Sequence, residues 1–509
     1  MKGGKLYVDT SNGHVASTTA DSPSDDSDLK LGALFTNTDS DDEPSLIFGG
    51  EQFKNFAHNM HRPPPPNRPP PQKPHVEPVE EHVGPDEHKD ERRKYLVPGL
   101  VGLKNLGNTC YMNAALQALC ATHLASYLRC NYWEERLAVN MSYSVAKENK
   151  KNQENKVDIK KKDLKIKIKN SLTFQLSRLF RTMYNKNCIV TPKTVKQLIG
   201  KINPEFKGFG QNDSQELISC LLDTIHEQTK TEVEVKFVNL PEEIKEYLKI
   251  RQKCHKILND ADSTQEQKTE ALDLFQEYRR KNENTSITLD AYLRWKNLIK
   301  DSHSIITDLF TGMFCSVIEC GICRNKSRSF DMFTTISIET AQTGETTLEQ
   351  CLKDFSSAEK LEGDNQYSCE ECKKKVDATK KIYVWHAPEI LVIQLKRFKN
   401  EIRQIYNGQW TQQTSKTNST VKFPLDNLTL TNNYMELSRD VDSSYYLSAI
   451  VLHKGSCNYG HYIAYSKNPI NKEWYEFNDS TVVHIPVEEI ESEIVTKDAY
   501  VLVYQRNRK

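Results

Sequence analysis

Residues 102–128 read GLKNLGNTCYMNAALQALCATHLASYL, and the rest of the chain is best interpreted outward from them. Met112, Leu116, Leu119, Cys120, Leu124 and Leu128 recur at helical spacing, which predicts a buried helix following Cys110. Gly107, Asn108 and Thr109 form a polar turn and cap just before it. Cys110 therefore falls in the first helical turn, where the positive helix end favours a thiolate, the reactive form of cysteine. Cys120, further along the apolar pattern, is of the ordinary core type.

A catalytic thiol needs a base, and the base needs a group that orients it. Residues 455–465, GSCNYGHYIAY, place His461 at the start of a predicted strand, after a glycine-containing loop that allows close backbone approach. His453 ends its own strand in apolar company and reads as structural. Residues 473–480, EWYEFNDS, bring Asn478 and Asp479 to the end of a hairpin partner strand. Strand alternation puts Tyr475, Phe477 and Asp479 on one face and Trp474, Glu476 and Asn478 on the other. With Tyr475 and Phe477 facing the core, Asn478 is the member turned toward His461. Cysteine, then histidine, then asparagine or aspartate is the order of papain-like proteases. The separation between Cys110 and His461 is far larger than papain's, so spacing alone does not establish the match.

The motifs together do. The chain strongly resembles the ubiquitin-specific proteases, a family of papain-like deubiquitinating enzymes. Gly102-Leu-Lys-Asn105-Leu-Gly-Asn-Thr-Cys110-Tyr-Met-Asn matches the family's cysteine box. Gln211-Asn-Asp213-Ser-Gln-Glu-Leu matches its glutamine/aspartate box, with Leu217 where phenylalanine is usual. Leu395-Lys-Arg-Phe398, Gly460-His461-Tyr462 and Tyr475-Glu-Phe-Asn478-Asp479-Ser480 match the later boxes, in order. The resemblance implies an α+β fold of thumb, palm and fingers, with Cys110 as nucleophile, His461 as general base and Asn478 as third triad member. It implies Asp479 as a second supporter, Asn105 as the oxyanion-stabilising amide, and Asp213 and Tyr462 at the substrate. Gln211 and Leu217 receive no role. The implied reaction cleaves the (iso)peptide bond after the C-terminal glycine of ubiquitin and needs no catalytic cofactor. Two other readings remain open: an inactive ubiquitin-binding scaffold, and a protease for a ubiquitin-like modifier.

Cys320-Gly-Ile-Cys323 and Cys369-Glu-Glu-Cys372 are two C-x-x-C knuckles. Two thiolates at this spacing can hold one side of a tetrahedral zinc, and two such pairs complete a four-thiolate site. The interval between the pairs is longer than in a simple zinc ribbon. The resemblance implies structural zinc at the tip of the fingers, and Cys315 is left as a spare packed in a strand.

The outer boundaries follow from composition. Of 509 residues 37% are hydrophobic, and the mean hydropathy is −0.67, so much of the chain must meet water. Lysine plus arginine (69) equals aspartate plus glutamate (69), which supplies no general field for nucleic acid or acidic membranes. Apolar runs such as Ile390–Ile393 fall far short of the roughly 18–20 residues of a membrane span. Thirteen cysteines, thinly spread, argue against a secreted disulfide framework, and the N-terminus lacks a secretory signal. The expected location is cytoplasmic or nuclear. Residues 1–97, acidic and then proline-rich, are expected to be disordered, with PPPPNRPPP (63–71) a spacer or a ligand for an SH3 or WW domain. The resemblance implies that residues 98–507 form the catalytic domain. Insertions are expected near 141–170, lysine-rich and solvated, and near 241–300, helical and packed on the body.

Overall fold

The computed structural model describes residues 6–9, 97–130, 132–151, 161–186, 188–237, 240–404, 410–430, 433, 443–456 and 459–507. The acidic and proline-rich segment thus lies, apart from Leu6–Asp9, outside the described residues, and so does the proposed SH3 or WW ligand. Leu6–Asp9 pairs antiparallel with Glu234–Phe237.

The helix Cys110–Cys120 is buried along all of its length, not on one stripe. It carries no charge and packs against the strand Gly460–Lys467 on one side and the helix Ser214–Thr229 on the other. Full burial of side chains such as Met112, Leu116 and Leu119 stabilises by about 1.5–3 kcal/mol each, so the helix is the keystone of the helical half. Around it lie His123–Arg129, Leu172–Asn185, Lys193–Ile202 and Ile305–Phe310. Two amides one turn apart on this helix reach back to the incoming chain. Gln117 Nε2 donates to the Val101 carbonyl at 2.7 Å, and Asn113 Nδ2 donates to the Leu103 carbonyl at 3.2 Å.

The second half is an eight-stranded sheet. Its path runs Thr481–Ile485, Trp474–Asn478, Gly460–Lys467, Ser444–Gly455, Ala499–Arg506, Ile390–Lys396, Thr335–Glu339, with Leu428–Thr429 added beside Ser444–Gly455. All pairs are antiparallel except the last two strands of the path, which run parallel. The central strands are covered on both faces, which explains their nearly unbroken apolar runs. Ala449, Val451 and Ala464 face the helices, while Ile450, Leu452 and Ile463 face a second core. The strands expected around His453, His461 and Asn478 are present as Ser444–Gly455, Gly460–Lys467 and Trp474–Asn478.

A four-stranded sheet (Lys326–Phe333, Gly312–Cys320, Ala378–His386, Glu359–Leu361) projects from this body as the fingers. The insertion at 241–300 is three helices, Glu242–Asn259, Gln265–Lys281 and Glu283–Ile299, with their own core of Ile244, Tyr247, Cys254, Ala271, Phe275 and Leu289. It rests on the fingers through Trp295 against His386 and through Arg328 paired with Glu283 at 2.6 Å. The lysine-rich stretch, expected as a solvated insertion, is largely helical. Tyr132–Lys151 and Lys161–Lys169 are helices flanking 152–160, which lie outside the described residues. Lysine is a good helix former, so a charged composition alone did not exclude helix.

Candidate active site

The helical half and the sheet meet at the segment 101–109. The Leu103 N–H donates to the Asp479 carbonyl at 2.7 Å, and Gly102 lies so close to Ser480 that a Cβ there would fall 2.2 Å from its carbonyl oxygen. The turn into the helix uses positive φ at Gly107 (100°) and Asn108 (50°). Thr109 is the N-cap residue through its carbonyl, which accepts from the Met112 and Asn113 N–H groups; its hydroxyl accepts instead from the Leu106 N–H. Cys110 is thereby set at the helix start, 3% exposed.

Across the cleft, His461 Nε2 lies 2.8 Å from Asn478 Oδ1 and donates to it, leaving the other ring nitrogen for Cys110. The hydrogen bond with Cys110 is the main cause that raises His461 to about 9; burial opposes it, and Asn478 adds to it. Cysteine and imidazole therefore form a pair in which the positive charge on His461 persists through neutral pH. His453 shows the opposite sign. It is fully packed between Phe398 and Tyr462, and burial, aided by the Lys416 ammonium, lowers it to about 4.

Asp479 does not touch His461 by any hydrogen bond. Its Oδ2 accepts from Asn105 Nδ2 at 2.9 Å and its Oδ1 from Asn113 Nδ2 at 2.7 Å. The backbone at Asp479 turns out of the strand at φ 51°, so strict alternation ends at Asn478. Asn105 Oδ1 in turn accepts from the Gly107 N–H, the Thr109 N–H and the Thr109 hydroxyl. The amide is thus locked, with one N–H spent on Asp479 and the second left over.

Asp213 caps the helix Ser214–Thr229 by accepting from the Gln215 N–H at 2.7 Å, and it accepts also from the Tyr500 hydroxyl; burial raises it above the usual carboxylate range. Tyr462, expected at the substrate, is 5% exposed, with its hydroxyl on the Ser214 backbone N–H. Gln211, to which no role had been given, clamps the peptide before His461 from both sides. Its Nε2 donates to the Gly460 carbonyl at 2.6 Å, and its Oε1 accepts from the Gly460 N–H at 3.3 Å. Asn113 and Gln211 both lie inside quoted motifs, but Asp479 and Gly460, which they meet across the fold, are hundreds of residues away, so no local pattern revealed these contacts.

The sulfurs of Cys320, Cys323, Cys369 and Cys372 all lie within 4.8 Å of one another. The Cys320–Cys372 and Cys323–Cys369 separations are 3.9 and 3.6 Å. Tetrahedral thiolates about 2.3 Å from a common ion stand about 3.8 Å apart, so the cluster fits a metal and not disulfides. The two knuckles are alike: Arg324 and Lys373, each just after the second cysteine, have φ near 60° (60° and 53°). Backbone N–H groups of Ile322 and Cys323 point at Cys320 Sγ, and that of Cys372 at Cys369 Sγ, each at 3.4 Å, as suits thiolates.

A family model described as ubiquitin carboxyl-terminal hydrolase matches residues 101–504. The chain belongs to this family. It is 28% identical over 450 residues to the probable ubiquitin carboxyl-terminal hydrolase R319 of Acanthamoeba polyphaga mimivirus, covering 80% of this chain and 90% of that one. It is 28% identical to ubiquitin carboxyl-terminal hydrolase 4 of Vanderwaltozyma polyspora, covering 80% of this chain and 41% of that one. With the human ubiquitin carboxyl-terminal hydrolase 2 it shares 29% identity, over 80% of this chain and 55% of that one. The chain thus spans most of the viral relative and about half of the yeast and human ones. Among solved structures, the SAGA deubiquitinating module of Ubp8, Sgf11, Sus1 and Sgf73 bound to ubiquitin aldehyde matches with a TM-score of 0.50 and 24% identity, over 82% of this chain and 72% of that one. That likeness shows the shared fold of thumb, palm and fingers.

The Cys110–His461 pair makes a direct prediction. A raised pKa means that the pair stabilises the fold fully below the unfolded value near 6.5 and loses that effect as pH rises through about 9. NMR titration of labelled histidine should place His461 near 9 in the wild type and at least about one unit lower in Cys110→Ala. An unchanged midpoint in the variant would separate the two side chains.

Proposed function

We propose that this chain hydrolyses the (iso)peptide bond after the C-terminal glycine of ubiquitin, with Cys110 as nucleophile, His461 as general base and then acid, and Asn478 as the residue that holds the imidazole. Family membership makes it a cysteine-type deubiquitinating hydrolase. The observation that carries the residue assignment is the relay Cys110–His461–Asn478 set beside an immobilised Asn105 amide.

The steps follow from that geometry. The Cys110 thiolate attacks the carbonyl carbon, and the charge that develops on oxygen is met by the free Asn105 N–H. A donor fixed before the reaction costs no reorganisation, and such a donor contributes about 2.7–4 kcal/mol. His461 gives its proton to the departing amine and leaves a thioester on Cys110. It then takes a proton from water, whose oxygen attacks the thioester and frees the carboxylate. Asn478 suffices as a neutral orienter because the thiolate already supplies the counter-charge to the imidazolium. Asp213 keeps lone pairs beyond its capping bond with which to meet basic residues of the ubiquitin tail. Tyr462 serves the packing beneath His461. The four cysteines of the fingers hold a structural zinc, which pins the distal ends of the finger strands and takes no part in the chemistry.

Paired assays on ubiquitin–fluorophore and ubiquitin-like-modifier–fluorophore conjugates test the substrate. The ubiquitin conjugate should turn over, Cys110→Ala should bind ubiquitin without turnover, and a ubiquitin suicide probe should label Cys110 but not Cys120, whose buried thiol is pushed up to about 12. Faster cleavage of a modifier conjugate would replace the substrate, and binding without turnover in the wild type would leave a scaffold.

The shared anchor at Asp479 predicts non-additivity. Asn105→Ala and Asp479→Ala should each lower kcat by roughly ten- to a thousandfold, and the double variant should be little worse than the worse single one, because both remove the same fixed amide. Multiplicative losses in steady-state kinetics would show that Asp479 acts elsewhere.

Metal analysis of the purified protein should find about one zinc per chain. Cys320→Ser or Cys372→Ser should lower both that content and the thermal midpoint; zinc unchanged in both variants would place the metal elsewhere.

A further inference from the structure

The strand Ser444–Gly455 runs past the end of its neighbour Ala499–Arg506. Its last register partner there is Leu452 against Ala499, and His453 N–H then donates to the Asp498 carbonyl. The carbonyls of His453 and Gly455 on that side therefore have no strand to receive hydrogen bonds from. They are met by one side chain. Lys416, at the end of the strand Trp410–Lys416, donates to the His453 carbonyl, to the Gly455 carbonyl at 3.0 Å and to Asp498 Oδ1 at 3.0 Å. Its side chain is only 6% exposed. An ammonium has three protons, and all three are used within the protein, which is the condition under which burying a lysine is tolerable.

What this ammonium holds is the hairpin that presents His461. The strand Ser444–Gly455 pairs with Gly460–Lys467 in the register His453 to Tyr462, Lys454 to His461 and Gly455 to Gly460. Gly455 turns with φ 100°, so the chain reverses directly beside the Lys416 contact. Beneath the hairpin lies the His453 ring, so close that a Cβ on Gly460 would fall 1.9 Å from its Nε2. Gln211 grips the Gly460 peptide from the helical side. The strand ends at Gly455 and Gly460, before His461, are thus held from three directions, and the neighbouring hairpin Phe398–Gln404 and Trp410–Lys416 supplies both the Lys416 ammonium and Phe398, which packs on the His453 ring.

We infer that Lys416 is a positioning residue for catalysis: it takes the place of a missing strand neighbour, locks the 453–460 hairpin, and so sets the position of the His461 imidazole against Cys110. This rests on the reading of His461 as general base. A displaced imidazole of even about 1 Å is costly to the chemical step while leaving remote binding surfaces intact. Removal of the ammonium therefore acts on kcat more than on KM. Arginine, with its own donors and charge, restores most of what is lost, whereas a merely space-filling role would be satisfied by an isosteric apolar residue.

The test is steady-state hydrolysis of ubiquitin–fluorophore by the full chain with Lys416→Met, which keeps the aliphatic stem, and with Lys416→Arg, each normalised to the folded fraction from a melting curve. His461→Ala is run beside them. Lys416→Met should lower kcat at least tenfold with KM within about threefold, Lys416→Arg should recover most of the loss, and alkylation of Cys110 by iodoacetamide should slow in the Met variant by a similar factor. If Lys416→Met does not fold, Asp498→Asn, which weakens the grip on the ammonium without removing it, should give the same split with a smaller loss of kcat. Full kcat per folded molecule in Lys416→Met, or in Asp498→Asn where that variant decides, overturns the positioning role while His461→Ala remains inactive. Turnover surviving in His461→Ala would instead overturn the assignment of the base.

Discussion

Asp479 joins two parts of the chain that are 374 residues apart, and the chemistry of the molecule hangs on that join. Its carbonyl receives the Leu103 N–H and its two carboxylate oxygens receive Asn105 and Asn113, one from the turn before Cys110 and one from the helix after it. A charged acceptor satisfied by two amides gives shorter and stronger bonds than neutral pairs do, and here it sits where the helical half meets the sheet. Because Asn478 is its sequence neighbour, the same turn that anchors the cysteine segment also delivers the orienter of His461. Cys110, Asn105 and His461 are thereby referred to one short stretch of backbone.

Two histidines eight positions apart show how environment divides roles between like side chains. His461 stands against Cys110 and Asn478, both of which favour its protonated form. His453 lies in an aromatic cage beside an ammonium, and both burial and that charge disfavour its protonated form. The neutral ring can then be packed against Gly460 with no Cβ between them. A second positive charge directly below the hairpin would oppose the imidazolium that the thiolate requires.

The periphery is stabilised by other means. The finger strands end on four thiols at separations that fit a metal, which would cross-link a narrow sheet that has little apolar surface of its own. Nearer the body, the inserted helices cover one face of the same sheet with Ile287 and Trp295 against Phe330 and Trp385. The thiol cluster and the apolar cover lie at opposite ends of the same fingers.

Much of this was legible in the linear order of residues. The helix after Cys110, the C-terminal strands, His461 over His453, Asn478 as the face turned to His461, and the paired C-x-x-C knuckles all follow from period, neighbours and motif, which are local quantities. The lysine-rich helices were hidden because charge argues for exposure and says little about backbone conformation. What only the tertiary structure decided is who meets whom at long range. Asp479 supports the imidazole only through its charge, while a positive φ at the strand end turns its oxygens to hydrogen bonds with Asn105 and Asn113. Gln211 and Lys416 look like ordinary polar residues until folding places backbone carbonyls of the His461 hairpin within their reach. A side chain's hydrogen-bonding capacity is written in its identity, but its partner is fixed by packing of segments hundreds of residues apart, and no local pattern carries that information.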